Sequence, residues 1–279
     1  MTDADRPAPD AAAPDGTAPG PGAPDPAAPG PAAGVAIGAW STLGTPAAAS
    51  VLAGLGADWL LLDAQHGLYD DRAVVESLAV LAGPGRPGRT SPVLVRVPAL
   101  DSAWIGRALD AGATGVLVPL VQDEHEAAAA ARACRYPPAG GRSWGGWGAV
   151  WGLDVPGTED ANREVMCAVM VETPSALDRV EAIAGTPGVD MVFVGPFDLS
   201  IALGTDHASL LADRSPDGPL ARVIRACRAA GVHAGAYAGT LEAARALREH
   251  GFSWIATVTD AGLLASAGAD LVRDARGDG

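Results

Sequence analysis

From residue 34 onward, short apolar runs alternate with alanine-rich segments of helical character, and the pattern repeats eight times. The runs are VAIGAWS (35–41), DWLLLD (58–63), PVLVRVP (92–98), GVLVPLV (115–121), MCAVMVE (166–172), DMVFVG (190–195), VHAGAYA (232–238) and FSWIATV (252–258). A strand that is apolar without alternation is covered on both faces, as in a parallel sheet. The segments between them, among them DRAVVESLAVLAG, SAWIGRALDAG, DEHEAAAAARAC, SALDRVEAIAG, ARVIRACRAAG and LEAARALREHG, read as helices, several ending at a glycine suited to a C-cap. Eight such units in about 250 residues predict an α/β fold of the (β/α)₈ TIM-barrel type. An open doubly wound sheet is the alternative, but VAIGAWSTLG lacks the G-x-G-x-x-G spacing of a dinucleotide-binding turn.

Residues 1–33 differ in kind. Pro, Ala, Gly and Asp dominate them, and too little apolar surface is present to offset the entropy of ordering. The expected organisation is a disordered tail over 1–33 and one barrel domain over 34–279. The opening MTDADRPAPD is acidic and proline-rich, unlike a secretory signal, and no apolar stretch reaches the roughly 20 residues that span a bilayer. The expectation is a cytoplasmic protein with no membrane partner. Cys134, Cys167 and Cys227 have no metal-ligand spacing and read as buried thiols. A formal net charge of −14 with no basic patch argues against nucleic acid.

In a (β/α)₈ barrel the chemistry sits at the carboxyl ends of the strands. There the second run ends in Asp63, Gln65 and His66, the third contains Arg96, the fifth ends in Glu172, and the sixth passes through Gly195 and Pro196 to Asp198. Two carboxylates on adjacent strands, Glu172 and Asp198, suit a hard divalent cation such as Mg²⁺ or Mn²⁺. Each could instead cap a helix, at Thr173-Pro174 or at Leu199. Arg96 interrupts an apolar strand and needs an anion, either a carboxylate such as Asp63 or an anionic substrate. His125 and His250 are expected to face solvent, His207 to lie in a loop and His233 to open a strand. Residues 136–164 are too long for an ordinary connection and carry Trp144, Trp147 and Trp151, which either bury against the barrel or serve a pocket or interface. Arg142 within this segment could reach a substrate anion or tie the segment down.

The motifs DWLLLDAQHG, LVRVP, ALDAGATGVLVPLVQDEHEA, RYPPAGGRSWG, VMVET and GVDMVFVGPFDLS, taken in order, resemble the HpcH/HpaI aldolases, the metal-dependent class II pyruvate aldolases of the phosphoenolpyruvate/pyruvate barrel superfamily. The likeness runs from about residue 35 to about residue 270, and YPPAG-x-R and GP-x-DLS are its most specific parts. By matching position it implies that Glu172 and Asp198 hold a divalent cation (Mg²⁺, Mn²⁺ or Co²⁺). It implies further that Arg96 contacts the pyruvyl oxygen, that His66 is the acid/base, and that Asp110 supports His66 from a neighbouring subunit. Backbone amides from Gly195 through Pro196 and Phe197 to Asp198 would receive the pyruvate carboxylate. The resemblance also implies a homohexamer that exchanges C-terminal helices. Two positions depart from the family's pattern: Gln65 stands where many members have Glu, and Phe197 where many have Ala.

The implied reaction is reversible cleavage of a 4-hydroxy-2-oxo acid to pyruvate and an aldehyde through a metal-stabilised enolate. An oxaloacetate-type decarboxylase would use the same enolate, and a non-catalytic barrel that binds a 2-oxo acid is the contrasting class. A Schiff-base aldolase is excluded, because all 19 basic residues are arginine.

Overall fold

All eight apolar runs form strands: β1 Ala36–Ser41, β2 Trp59–Asp63, β3 Val93–Arg96, β4 Gly115–Val118, β5 Met166–Val171, β6 Met191–Val194, β7 His233–Tyr237 and β8 Trp254–Thr259. Each pairs in parallel with the next, and β1 pairs with β8, so the sheet closes into a barrel and the open-sheet alternative falls. The computed structural model describes residues 34–83, 91–146, 149–150 and 155–277; the expected tail over 1–33, Trp147 and Trp151 lie outside them.

Alternation along each strand builds two cores. Leu60 and Leu62 face the surrounding helices, whereas Trp59 and Leu61 face the barrel interior with Leu94, Met170, Phe193 and Trp254. Register then decides what shares a level: Leu62 pairs with Val95 and Asp63 with Arg96, so two opposite charges finish adjacent strands side by side.

The helices are α1 Pro46–Ala53, α2 Asp71–Leu81, α3 Ser102–Asp110, α4 Glu124–Cys134, α5 Thr158–Glu164, α6 Pro174–Asp178, α7 Val180–Ala184, α8 Pro196–Ala202, α9 His207–Ala212, α10 Pro219–Ala230, α11 Leu241–His250 and α12 Asp260–Arg276. Side chains of Thr45, Asp70, Asp101, Asp123 and Thr240 accept first-turn N–H groups at the starts of α1 to α4 and of α11. Each such cap is worth ~1 kcal/mol.

Three expectations need correction. SALDRVEAIAG is two short helices, because Arg179 leaves helical geometry (φ −114°, ψ 12°) while its guanidinium binds Glu124 of α4. The connection over 136–164 contains α5, and Asn162 of that helix holds Tyr136 by accepting from its N–H at 2.7 Å and donating to its carbonyl at 3.1 Å. His250 does not face solvent; it is half-buried, with Nε2 3.0 Å from the Leu211 carbonyl. The three cysteines are free and buried. No helix among the described residues is long and apolar enough to cross a membrane.

Helix α12 stands out from the barrel, leaving Leu263, Leu264, Leu271 and Val272 exposed. Its first residue is the exception. Asp260 is buried and accepts from Ser41 Oγ (2.7 Å), Thr42 N and Oγ1 (both 2.8 Å) and Leu43 N (3.2 Å). Burial pushes its pKa up, but the Thr42 N–H, the Ser41 and Thr42 hydroxyls and the Leu43 N–H together outweigh that and leave it below the ordinary value. The stability it contributes is therefore complete above the ordinary carboxylate range and is lost as pH falls through the depressed value. Asp260→Asn, which turns an amide donor toward these donors, is expected to cost about 2 kcal/mol or more at neutral pH. The melting-temperature gap between the two proteins should narrow on acidification, and a gap independent of pH would refute the assignment.

Candidate active site

Polar groups gather at the carboxyl ends of β2, β3, β5 and β6, where a cavity of about 210 Å³ opens. Its lining includes Asp63, His66, Arg96, Gly195, Pro196, Phe197 and Asp198, and also Trp40, Thr42, Met170, Tyr237 and Thr259.

Asp63 organises one wall. Arg96 donates to it twice, Nε to Oδ1 at 2.9 Å and Nη2 to Oδ2 at 2.6 Å, and Trp40 Nε1 adds a bond of 3.1 Å. The backbone N–H groups of Gln65 (3.0 Å) and His66 (3.2 Å) also end on Oδ1, so the same carboxylate fixes the turn that presents the His66 ring. Burial alone would raise the Asp63 pKa; the bonds and charge of Arg96, the Trp40 indole and the His66 N–H hold it lowered. The carboxylate alternative for Arg96 is thus realised. Its guanidinium still lines the cavity, over the Trp40 ring at 4.9 Å, and Nη1 donates to nothing among the described residues.

Asp198 lines the cavity, and Glu172 is buried against the lining residue Gly195. Neither caps a helix: Thr173 caps α6, and α8 already starts at Pro196, which puts Asp198 in its first turn. Leu120, whose φ is +55°, donates its N–H to Glu172 Oε1 at 2.8 Å. Oε2 lies against Gly195, where an added Cβ would stand 2.7 Å from it, so only glycine leaves that oxygen clear. Burial first, and the charge of Asp198 second, raise the Glu172 pKa. Two neighbouring carboxylates, one of them buried with an oxygen kept open by a glycine, are a donor set that fits a hard cation. Among the described residues no three His, Cys, Asp or Glu side chains cluster as a complete ligand set, so water or substrate oxygens would supply the rest.

The other site residues expected from sequence separate from this cavity. Gln65 Oε1 is buried without a hydrogen-bond partner, and its side chain does not line the cavity. Asp110 and Arg142 pair with each other at 2.7 Å, Arg142 stacks on Tyr136 at 4.5 Å, and both line a second cavity of about 360 Å³ with Thr114 and Val165. Those last residues precede β4 and β5, so this cavity is at the amino-terminal end of the barrel. Within its own chain, Arg142 ties the segment down and reaches no substrate pocket, and Asp110 cannot support His66. Pro196 has no N–H, which leaves the amides of Gly195, Phe197 and Asp198 as donors in that turn. Trp144 is exposed and does not bury against its own barrel. His207, expected in a loop, opens α9 and stacks on Phe197.

Trp40, Thr42, Tyr237 and Thr259 escaped the sequence reading, because a Trp, Tyr or Thr ending a strand looks no different from one filling the interior. The usable signal was position: each follows or ends a strand at the level of the charged groups.

Fold and pocket together bring carboxylate, imidazole and guanidinium side chains to the carboxyl ends of the strands of a (β/α)₈ barrel, where enzymes of this fold hold their chemistry. The sequence profile described as HpcH/HpaI aldolase/citrate lyase matches residues 36–267. The chain is 38% identical over 229 residues to a hydroxypyruvate/pyruvate aldolase of Paraburkholderia phytofirmans, covering 80% of this chain and 86% of that one. It is likewise 38% identical over 230 residues to a 4-hydroxy-2-oxovalerate aldolase of Rhodococcus jostii, covering 82% and 87%. The crystal structure of a HpcH/HpaI aldolase/citrate lyase family protein from Burkholderia cenocepacia superposes with a TM-score of 0.77 at 37% identity, covering 87% of this chain and 95% of that one. The chain belongs to the HpcH/HpaI aldolase/citrate lyase family and is an enzyme of the aldehyde-lyase class.

Proposed function

We propose that this enzyme cleaves a 4-hydroxy-2-oxo acid reversibly into pyruvate and an aldehyde. The observation that carries the reading is the meeting of His66, Arg96 and Asp198 in one cavity, with the open oxygen of Glu172 beside Gly195. The relatives named above are aldolases of pyruvate-type acids, which supports the same class here. Glu172 and Asp198 would hold a divalent cation, Mg²⁺ or Mn²⁺ with Co²⁺ as a third candidate, which when bound supplies Lewis acidity toward the 2-oxo and carboxylate oxygens.

Arg96, held by Asp63, directs Nη1 at the charge that develops on the 2-oxo oxygen. His66 takes the proton of the C4 hydroxyl as the C3–C4 bond breaks; the bonding pair moves to C3, the C4 oxygen leaves as the aldehyde, and C3 is protonated to give pyruvate. The N–H groups of Phe197 and Asp198, at the start of α8, would receive the substrate carboxylate. Asp110 would reach His66 only from a neighbouring subunit. The exposed leucines of α12 support a homo-oligomer, for which a hexamer with exchanged helices is our reading.

The test is enolisation alone. With Mg²⁺ or Mn²⁺ present, pyruvate in D₂O should lose its methyl proton signal, and adding an aldehyde should consume pyruvate. A protein that binds the cation yet does neither would refute the proposal.

A further inference from the structure

The cavity has a second half that the chemistry above does not use. Beside Asp63, Arg96 and Asp198 runs an aromatic wall: the Arg96 guanidinium lies over the Trp40 ring, which is 5.3 Å from Tyr237, and Tyr237 is 6.4 Å from Phe197. Phe197 projects into the cavity mouth, 46% exposed, yet its ring is held on its far side. His207 stacks on it at 4.0 Å with the planes 3° apart. The other neighbour is Gly239 (φ +72°), where an added Cβ would stand 3.7 Å from Phe197 and 3.2 Å from Tyr237. Nε2 of His207 is buried without a partner, so this residue acts through the face of its ring.

We infer that the stacked pair Phe197–His207 sets the aldehyde half of the substrate, admitting short, neutral, apolar aldehydes and rejecting anionic or polyhydroxylated ones. The inference rests on the aldolase reading and adds the class of the second product. Charge favours it first. Among the described lining residues Arg96 is the one arginine, and its Nε and Nη2 are already bound to Asp63, so a second carboxylate on the substrate would compete with Asp63 and the 2-oxo acid for the same guanidinium. Hydroxyl groups find few partners, because Thr42 Oγ1 is committed to Asp260, Thr259 Oγ1 accepts from the Gly262 N–H, and Phe197 and Trp40 offer mainly carbon, which leaves the Tyr237 hydroxyl. A substrate hydroxyl buried there without a partner loses a factor of about ten or more. Size acts in the same direction, since the cavity is about 210 Å³ and the pyruvyl half of the substrate shares it. Phe197 touches the substrate; His207 is a positioning residue that keeps the ring in place.

The experiment measures pyruvate deuteration and then kcat/KM for aldol addition to propanal, hexanal, glyoxylate and glyceraldehyde, all with Mn²⁺. The parent enzyme should favour propanal over glyoxylate and glyceraldehyde by about tenfold or more. Phe197→Ala should raise the hexanal-to-propanal ratio by about tenfold, with Phe197→Leu as a milder variant should the first fail to fold. His207→Ala should raise KM for propanal about tenfold more than it changes the deuteration rate, and His207→Phe, which restores a flat ring, should bring KM back. Deuteration with a preference for glyoxylate or glyceraldehyde would overturn this inference alone, as would an unchanged hexanal-to-propanal ratio in a folded Phe197 variant. A His207→Ala enzyme with the parent KM would remove His207 from it. Failure of deuteration in the parent would overturn the aldolase reading itself, and this inference with it.

Discussion

Glu172→Ala and Asp198→Ala should each reduce aldol turnover by on the order of a thousandfold or more, and chelation should do the same to the parent enzyme. The geometry makes the two carboxylates one unit. Glu172 spends Oε1 on the Leu120 N–H and keeps Oε2 clear beside Gly195, while the Asp198 charge helps to raise the Glu172 pKa. Calorimetric titration with Mn²⁺ gives a readout independent of turnover, and affinity should collapse in both variants. Because a proton competes with the cation for a carboxylate whose pKa is raised, affinity should also weaken on acidification sooner than an ordinary carboxylate pair would require. Gly195→Ala, which puts a methyl group against Oε2, should weaken binding without removing a ligand. Turnover that survives chelation and both alanine variants would overturn the metal-dependent assignment.

His66→Ala and Arg96→Ala should separate two roles that share one cavity. If His66 handles the aldol hydroxyl proton, its loss should cripple cleavage yet leave a measurable part of oxaloacetate decarboxylation, in which no such hydroxyl is deprotonated. Arg96→Ala should damage both reactions by about a hundredfold or more, since both pass through the same enolate. The Arg96 variant also leaves Asp63 buried without its main partner, and breaking a buried pair costs ~3–5 kcal/mol. Melting temperature and cation affinity therefore accompany each rate measurement. Equal losses in both reactions for both variants, with stability retained, would remove the basis for distinct roles.

The barrel was legible because its strands are buried on both faces. WLLLD shows no alternation, so its neighbours had to cover both sides, and the repetition of that condition dictated closure. Asp63, His66, Arg96 and Asp198 were legible for the opposite reason, as charges that ended apolar strands at a cost only a site or a partner could offset. The partner of Arg96 could be named as one of two alternatives but not chosen, since register across the β2–β3 pair is a tertiary fact. Asp110 was grouped with the catalytic residues through resemblance, and Arg142 was given two alternative roles by its place in the long segment. Their own chain places them at the far end of the barrel, because sequence order does not say which copy of a chain meets which. The stacking of His207 on Phe197 was equally hidden, since it depends on where α9 turns back over α8.

The clamp on Asp260 ties the order of synthesis to the shape of the pocket mouth. Its partners Ser41, Thr42 and Leu43 leave the ribosome more than two hundred residues earlier, at sequence separations of 219, 218 and 217. Until Asp260 is made, Thr42 and Leu43 lack this acceptor and Ser41 keeps only Tyr69, and β1 gains its β8 neighbour only just before, so β1 is secured late. A nascent chain cut before residue 260 can hold most of its helices and still leave Thr42, at the cavity rim, held by its carbonyl bond to the Leu68 N–H but without the acceptor for its own N–H and hydroxyl. For this enzyme the arrival of residue 260, more than that of the residues just before it, separates a nearly closed barrel from a finished pocket.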